Sequence, residues 1–269
     1  MKETGKAFTA VVLAADRGPG DPVAMAAGVP SKCLAPVGGT PMVLRVLDAL
    51  GAATEIETRI LCGPLRSEVE QERELRERID SGQVRWVENL ATPSASAFHA
   101  MNSLPPDTPV LVTTGDHALL SARIVDYFCS SARETGRDLV VGLALHETVA
   151  KAFPGTRRTV TKLREGGYCG CNLFAFLTPR ARAAAEYWRR VEHRRKKPLR
   201  VVGALGVVAV LRYLSGRLSL EEALARISRR MGVAAGAVVL PFPEAAVDVD
   251  TVGDLRLVES VLALKPRDR

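Results

Sequence analysis

Residues able to do chemistry fall in three places. The first is VVLAADRGPGDPVAMAAGVPSKCLAPVGGTPM, Val11 to Met42, where an apolar run breaks into glycine, proline and charge. It holds Arg17, Gly18, Gly20 and Lys32. Glycines let backbone N–H groups come close to phosphate oxygens, and a lysine beyond them can neutralise charge that develops there. A plain glycine turn reads the same residues without a ligand. The pattern is neither a P-loop, since no Gly-Lys-Ser/Thr follows, nor G-x-G-x-x-G. The second place is TTGDHALL, Thr113 to Leu120. Asp116 there directly follows an apolar run, and Mg²⁺ is commonly held by one or two carboxylates plus substrate phosphates. The other reading of Asp116 is a helix cap, and His117 beside it reads as a loop residue. The third place is AAVDVDTVGDL, Ala245 to Leu255. On a strand, Asp248 and Asp250 would point the same way. One of them can supply a second metal carboxylate, and Asp250 is the choice here; alternatively Asp250 braces the last helix.

Elements must position these groups. Phe8 to Ala14 is β-branched and continuous, as in a fully buried strand. Thr40 and Pro41 read as an N-cap and a first helical residue, followed by a stripe of Met42, Val46, Leu47 and Leu50. Strands are expected at Thr58 to Cys62, Val84 to Val87, PVLVTTGD and DLVVGLAL. Helices are expected over RSEVEQERELRERID, with Val69, Leu75 and Ile79 inward, over Ser94 to Leu104, and after a Ser121 cap. This alternation predicts a mostly parallel sheet covered on both faces, with its ligand beyond the carboxyl ends of the strands. The loops after Ala14 and Thr114 lie at that edge. Further on, RRTVTKLREGGYCGCNLFAF reads as two strands around a Gly-Gly turn. Thr178-Pro179 opens a helix carrying Ala184, Trp188 and Val191, and Ser219 with Glu222 reads as a capping box. AGAVVLPFP is a last core strand. A strand end, a Thr251 cap and an amphipathic helix close the chain.

Composition narrows the partners. The 269 residues carry 37 Lys+Arg against 30 Asp+Glu, a formal charge of +7, which favours anionic ligands. Aromatic residues make up only 5%, so stacking platforms for single-stranded nucleic acid are scarce; the charge fits small phosphates at least as well as polymers, and no nucleic-acid partner is expected. Five cysteines in a chain this long are not a disulfide framework, and the one-residue spacing of Cys169 and Cys171 is too short for a zinc pair. They are expected to be buried. The N-terminal stretch lacks a signal-peptide pattern, so a cytoplasmic location is expected.

Together the three places resemble the MobA-like and cytidylyltransferase superfamily of nucleotidyltransferases. That family opens with LAAG-x-G-x-R, then PK-x-L, then G-x-P; the matches here are Leu13, Ala14, Ala15, Gly18, Lys32, Leu34, Pro36, Gly38 and Pro41. Its GD-x-P-L matches Gly115, Asp116 and Leu119, and its closing D-I-D-T-P-E-D-L resembles DVDTVGDL. The likeness runs from Val11 to about Leu262 and is weaker between about 178 and 235. Asp16 stands in place of the first loop glycine, the Arg-Met after the glycines is missing, and the loop is longer. The resemblance implies a Rossmann-like, three-layer α/β/α fold of the nucleotide-diphospho-sugar transferase type. It implies one domain over 1–269 with a basic, helical insertion at about 178–235. It also implies Mg²⁺-dependent attack by a small, phosphorylated acceptor on the α-phosphate of an NTP, CTP or GTP, with release of pyrophosphate. In that scheme Leu13, Ala14, Ala15, Gly18, Gly20 and Asp116 touch the nucleotide. Arg17 and Lys32 act in catalysis, and Ser94 and Ser96 meet the base or ribose. Asn172 meets the acceptor, and Asp116 and Asp250 hold the metal.

Two other readings stay open. One is a non-catalytic nucleotide-binding regulator of the same fold. The other is a glycosyltransferase of related fold, which would need a D-x-D after the fourth strand where the chain has GDHA. The basic cluster from Arg189 to Arg200 has three readings: a solvated helix, a pocket for a phosphorylated acceptor, and peripheral contact with a lipid-borne acceptor. The apolar run from Val201 to Leu211 is too short to span a bilayer.

Overall fold

The computed structural model describes residues 6–16, 20–182 and 207–264. Arg17, Gly18, the basic cluster 189–200 and the stripe of Ala184, Trp188 and Val191 lie outside the described residues. An eight-stranded sheet organises the rest. Its first strand, β1 (Phe8–Leu13), is followed by α1 (Pro22–Ala27), a short hairpin of β2 (Pro36–Val37) and β3 (Thr40–Pro41), and α2 (Met42–Ala52). Then come β4 (Ile56–Cys62), α3 (Arg66–Val69), α4 (Arg73–Asp80), β5 (Arg85–Val87), α5 (Pro93–Asn102), β6 (Val110–Thr114), α6 (Ala122–Glu134), β7 (Leu139–Leu145) and α7 (His146–Ala152). The second part holds β8 (Val160–Leu163), β9 (Gly166–Phe176), α8 (Val207–Leu214), α9 (Leu220–Met231), β10 (Ala235–Leu240) and α10 (Val252–Leu264).

The main sheet runs β10-β7-β9-β6-β1-β4-β5, with β8 paired to β9. β10–β7, β6–β1, β1–β4 and β4–β5 are parallel; β9 is antiparallel to both β6 and β7. Alternate residues of the central strands feed two cores, as the two-residue period of a strand requires. Ala10, Val12, Leu61 and Leu111 pack with α2 and α6. Val11, Ile60, Val110 and Val112 pack with Ala97, Ala100 and Met101 of α5. The sheet is therefore covered on both faces, as the strand–helix alternation predicts.

Several local expectations are corrected. Thr40 and Pro41 sit in β3, and α2 starts at Met42 because Gly38 and Gly39, both at positive φ, turn the chain into a hairpin first. The charged helix is two: Val69 and Leu75 are both fully buried but six positions apart, about a third of a turn off one face, and the break after Val69 lets both turn inward. The β8–β9 turn is Arg164-Glu165, with the two glycines inside β9. Ser219 caps α9, but the Glu222 carboxylate pairs with Arg212 and Arg226 instead of closing a box. Residues 247–250 form no strand. Val247 is extended, and the segment is tied to the loop after β6 through Val249 N–H donating to the Asp116 carbonyl at 3.1 Å. All five cysteines are buried and unpaired, as expected.

Candidate active site

β1 and β6 end side by side, with Leu13 in register with Thr114. Gly115 N–H donates to the Leu13 carbonyl at 2.8 Å, and Ala14 N–H to the Cys62 carbonyl at 3.0 Å. The exit of β1 is thus squeezed between two glycines. A Cβ on Gly115 would lie 2.9 Å from the Ala14 Cβ, and one on Gly63 would lie 3.0 Å from the Ala15 Cβ. Small residues at 14 and 15 follow from that crowding.

The stretch between Gly20 and Lys32 is not all loop. Asp21 caps α1 by accepting from Val23 and Ala24 N–H, Pro22 opens the helix, and Gly28 ends it at φ 67°. Sequence reasoning missed this helix although its signals, Asp-Pro before it and Gly after it, are in the chain. The path then returns to Lys32, which begins a single 3₁₀ turn, Lys32–Leu34. Both carboxylate oxygens of Asp16 accept from the Lys32 N–H, each at 3.1 Å. The residue that replaces the expected glycine therefore stitches the start of the segment to its end. Burial raises the Asp16 pKa above the ordinary value, against the lowering effect of the Lys32 N–H.

The Lys32 ammonium meets one carboxylate just past the end of β6 and one in the strandless segment 247–250. It lies 2.5 Å from Asp116 Oδ2 and 3.1 Å from Asp250 Oδ1. Burial works against its charge, but the Asp116 and Asp250 carboxylates outweigh burial and hold its pKa above the ordinary lysine value. A third carboxylate, Asp248, is bound on both oxygens: Arg158 donates to Oδ1 at 2.5 Å and Asn172 Nδ2 to Oδ2 at 3.0 Å. Burial, with Asp116 and Asp250 nearby, pushes the Asp248 pKa up to about 6. Asn172 is held at φ 49°, a conformation rare for residues other than glycine.

These groups line one cavity of about 510 Å³. Of the residues singled out from sequence, Leu13, Ala14, Ala15, Lys32, Ser94, Asp116, Asn172 and Asp250 lie on its wall. Ser96 does not: its buried hydroxyl donates to the Thr92 carbonyl and accepts from Leu90 N–H, bracing the turn before α5. Gly20, at φ 81°, turns the chain into α1 and is not on the wall. Asn172 has its amide committed to Asp248. Asp16, Asp21 and Asp248 are wall residues that sequence reasoning did not select, and Arg158 behind them was invisible to it. The alternation Asp248-Val249-Asp250 was the one signal present.

Among the described residues, six buried side-chain polar atoms lack a hydrogen-bond partner, and four of them cluster at the end of β6: Thr113 Oγ1, Thr114 Oγ1, Asp116 Oδ1 and His117 Nδ1. Natural structures rarely leave such atoms unpaired; Thr113, Thr114 and Asp116 are residues of the cavity wall, and His117 is not. The ring of His117 is fully enclosed, with Nε2 3.4 Å from the Glu244 carbonyl, and burial pushes its pKa down to about 4.

The mostly parallel α/β sheet flanked by helices is a fold of the nucleotide-diphospho-sugar transferase type. The MobA-like NTP transferase domain matches residues 10–203, and this chain belongs to that family; it is a nucleotidyltransferase. Among solved structures, a hypothetical transferase from Thermus thermophilus is 33% identical with a TM-score of 0.76, over 93% of this chain and 99% of its own. Two others share the fold at low identity. The 4-diphosphocytidyl-2C-methyl-D-erythritol synthase of Anaerococcus prevotii is 16% identical with a TM-score of 0.58, over 96% of this chain and 97% of its own. A CMP:2-keto-3-deoxy-manno-octonic acid synthetase complexed with CTP is 12% identical with a TM-score of 0.53, over 97% and 99%. Comparison with curated proteins gives no match. No helix among the described residues is long and apolar enough to cross a membrane.

Proposed function

We propose that the protein moves a nucleoside monophosphate from an NTP to a small, phosphorylated acceptor, releasing pyrophosphate, with Mg²⁺ as cofactor. The observation that carries this reading is the Lys32–Asp116–Asp250 set beside the unpaired polar atoms of β6. Such a transfer depends on positioning and charge neutralisation more than on a covalent nucleophile. Lys32 is the cation that meets the α-phosphate as negative charge builds on it. Backbone N–H groups after Ala14, with Arg17, cradle the triphosphate, Ser94 meets the nucleoside, and Asn172 faces the acceptor.

The wall fits a divalent cation. Asp16, Asp116, Asp248 and Asp250 lie on the wall with the Lys32 ammonium, and Arg158 pairs with Asp248 from behind it, so among these groups carboxylates outnumber cations and a triphosphate entering alone meets negative charge. Asp116 Oδ1, buried and without a partner, is the atom a metal would complete. Asp116 and Asp250 would hold the ion. When bound, it would supply charge neutralisation on the phosphate oxygens and a template for their orientation.

The test is a thermal-shift screen of the four NTPs with Mg²⁺, followed by pyrophosphate release with pooled phosphorylated acceptors. A ligand that binds only the folded chain raises its apparent stability. CTP leads the order of testing, because one fold neighbour is a CTP complex. Stabilisation by one NTP with acceptor-dependent pyrophosphate release is expected. Binding without release under any acceptor would identify a non-catalytic regulator, and sugar transfer from a nucleotide sugar would identify a glycosyltransferase.

A further inference from the structure

Asp250 is more exposed than Asp116 or Asp248, with half of its side chain open to solvent, yet it is aimed at the Lys32 ammonium. A strandless segment does not by itself hold a carboxylate in place. The chain on either side of it is gripped by one side chain. Arg158, from the loop between α7 and β8, is 8% exposed. Its Nη1 donates to both Asp248 Oδ1, at 2.5 Å, and the Asp248 carbonyl, at 2.9 Å. Its Nη2 donates to Asp254 Oδ1 at 3.0 Å. The other oxygen of Asp254 accepts from Thr251 N–H at 2.9 Å and from the Thr251 hydroxyl at 2.7 Å. Asp248 is held on its second oxygen by Asn172, and Val249 N–H is bound to the Asp116 carbonyl. Residues 248, 249, 251 and 254 are therefore all tied down, and Asp250 projects from the middle of the tied segment.

We propose that Arg158 is a positioning residue that fixes the distance between Asp250 and Asp116 by clamping the chain on both sides of Asp250. The planar guanidinium suits this task, since its two Nη groups reach two carboxylates at a fixed spacing, which a single ammonium cannot do. The inference rests on the reading of Asp116 and Asp250 as metal-side carboxylates. Groups that orient metal ligands typically cost 10- to 100-fold in metal affinity when removed.

The experiment measures binding of Mn²⁺ alone, without nucleotide, by electron paramagnetic resonance. It compares the unaltered full chain with Arg158→Lys, Asp254→Asn and Asp116→Asn, and a melting curve is recorded for each. Expected for Arg158→Lys is a Mn²⁺ dissociation constant raised at least about 10-fold with most of the melting temperature retained; Asp254→Asn, which frees one end of the clamp, should show a smaller loss in the same direction. Dissociation constants within twofold of the unaltered chain in both variants, with only the melting temperature lowered, would make Arg158 a purely structural residue and overturn the proposal. If Arg158→Lys does not fold, Asp254→Asn alone decides. A different failure is separable: an unaltered chain that binds no Mn²⁺, or binds it equally well after Asp116→Asn, overturns the metal reading itself and this role with it.

Discussion

Lys32 carries opposing demands. In the structure its charge is balanced by Asp116 and Asp250; in the proposed reaction the same ammonium must turn to the phosphates. Lys32→Ala should therefore lower kcat more than it raises KM for the NTP, by roughly 10²–10³, since the contact strengthens in the transition state. Lys32→Arg should not restore the rate, because a planar fork is a poor copy of a compact ammonium. Steady-state kinetics of both variants checks this, and near-normal turnover in both would reduce Lys32 to a structural ion pair. Asp116→Asn should abolish turnover with an unchanged fold, because it removes charge but no volume; activity retained at saturating Mg²⁺ would refute its role. Lys32, Asp116 and Asp250 were legible in the sequence because each sits beside a recognisable local break: Lys32 after a glycine turn, Asp116 after a strand end, Asp250 just before a helix start. Asp16 and Arg158 were not. Asp16 acts on a backbone N–H 16 residues away and Arg158 on carboxylates 90 and 96 residues away, and no local pattern encodes such meetings.

At the scale of elements, the ends of β1 and β6 are set by close approach. Gly115→Ala would bring a methyl to 2.9 Å from the Ala14 Cβ and 3.3 Å from its Cα, so one strand end must move. We expect a loss of about 1–3 kcal/mol, typical of overpacking, and a drop in NTP affinity; urea titration measures the first and calorimetry the second. The loop after Gly115 holds the buried His117. Its folded pKa of about 4 lies below the ordinary histidine value, so the unfolded chain takes up a proton first as pH falls. Stability is then complete above about pH 6.5 and is lost progressively down to about pH 4, by about 3 kcal/mol for a shift of this size. Melting temperatures between these pH values should fall less steeply in His117→Asn than in the unaltered chain; parallel slopes would mean that another group is responsible. The strands of the main sheet and most helices were readable from apolar periodicity. α1 and α7 were passed over because short helices of mixed composition carry little periodic signal, and the break between α3 and α4 was hidden under a continuous run of charge.

At the scale of the whole molecule, the alternation of strands and helices named the sheet but not its order. Nothing in the spacing of β9 shows that it enters between two strands that precede it in the chain and runs against both. That insertion has a consequence for how the chain is made. β6, β1, β4 and β5 form a continuous parallel set on one side of the insertion, and all four exist once residue 114 has been synthesised. β7 is different, because both of its neighbours, β9 and β10, are encoded downstream of it. The newly made LVVGLAL segment thus waits with two unpaired edges, the kind of surface on which chains associate wrongly. Pulse-labelled hydrogen exchange during refolding should find β1, β4 and β6 amides protected first and those of β7, β9 and β10 later and together; simultaneous protection across the sheet would contradict this order. A slow synthesis step or a bound chaperone would then matter most between residues 145 and 176, a vulnerability set by topology and not by any residue of the cavity wall.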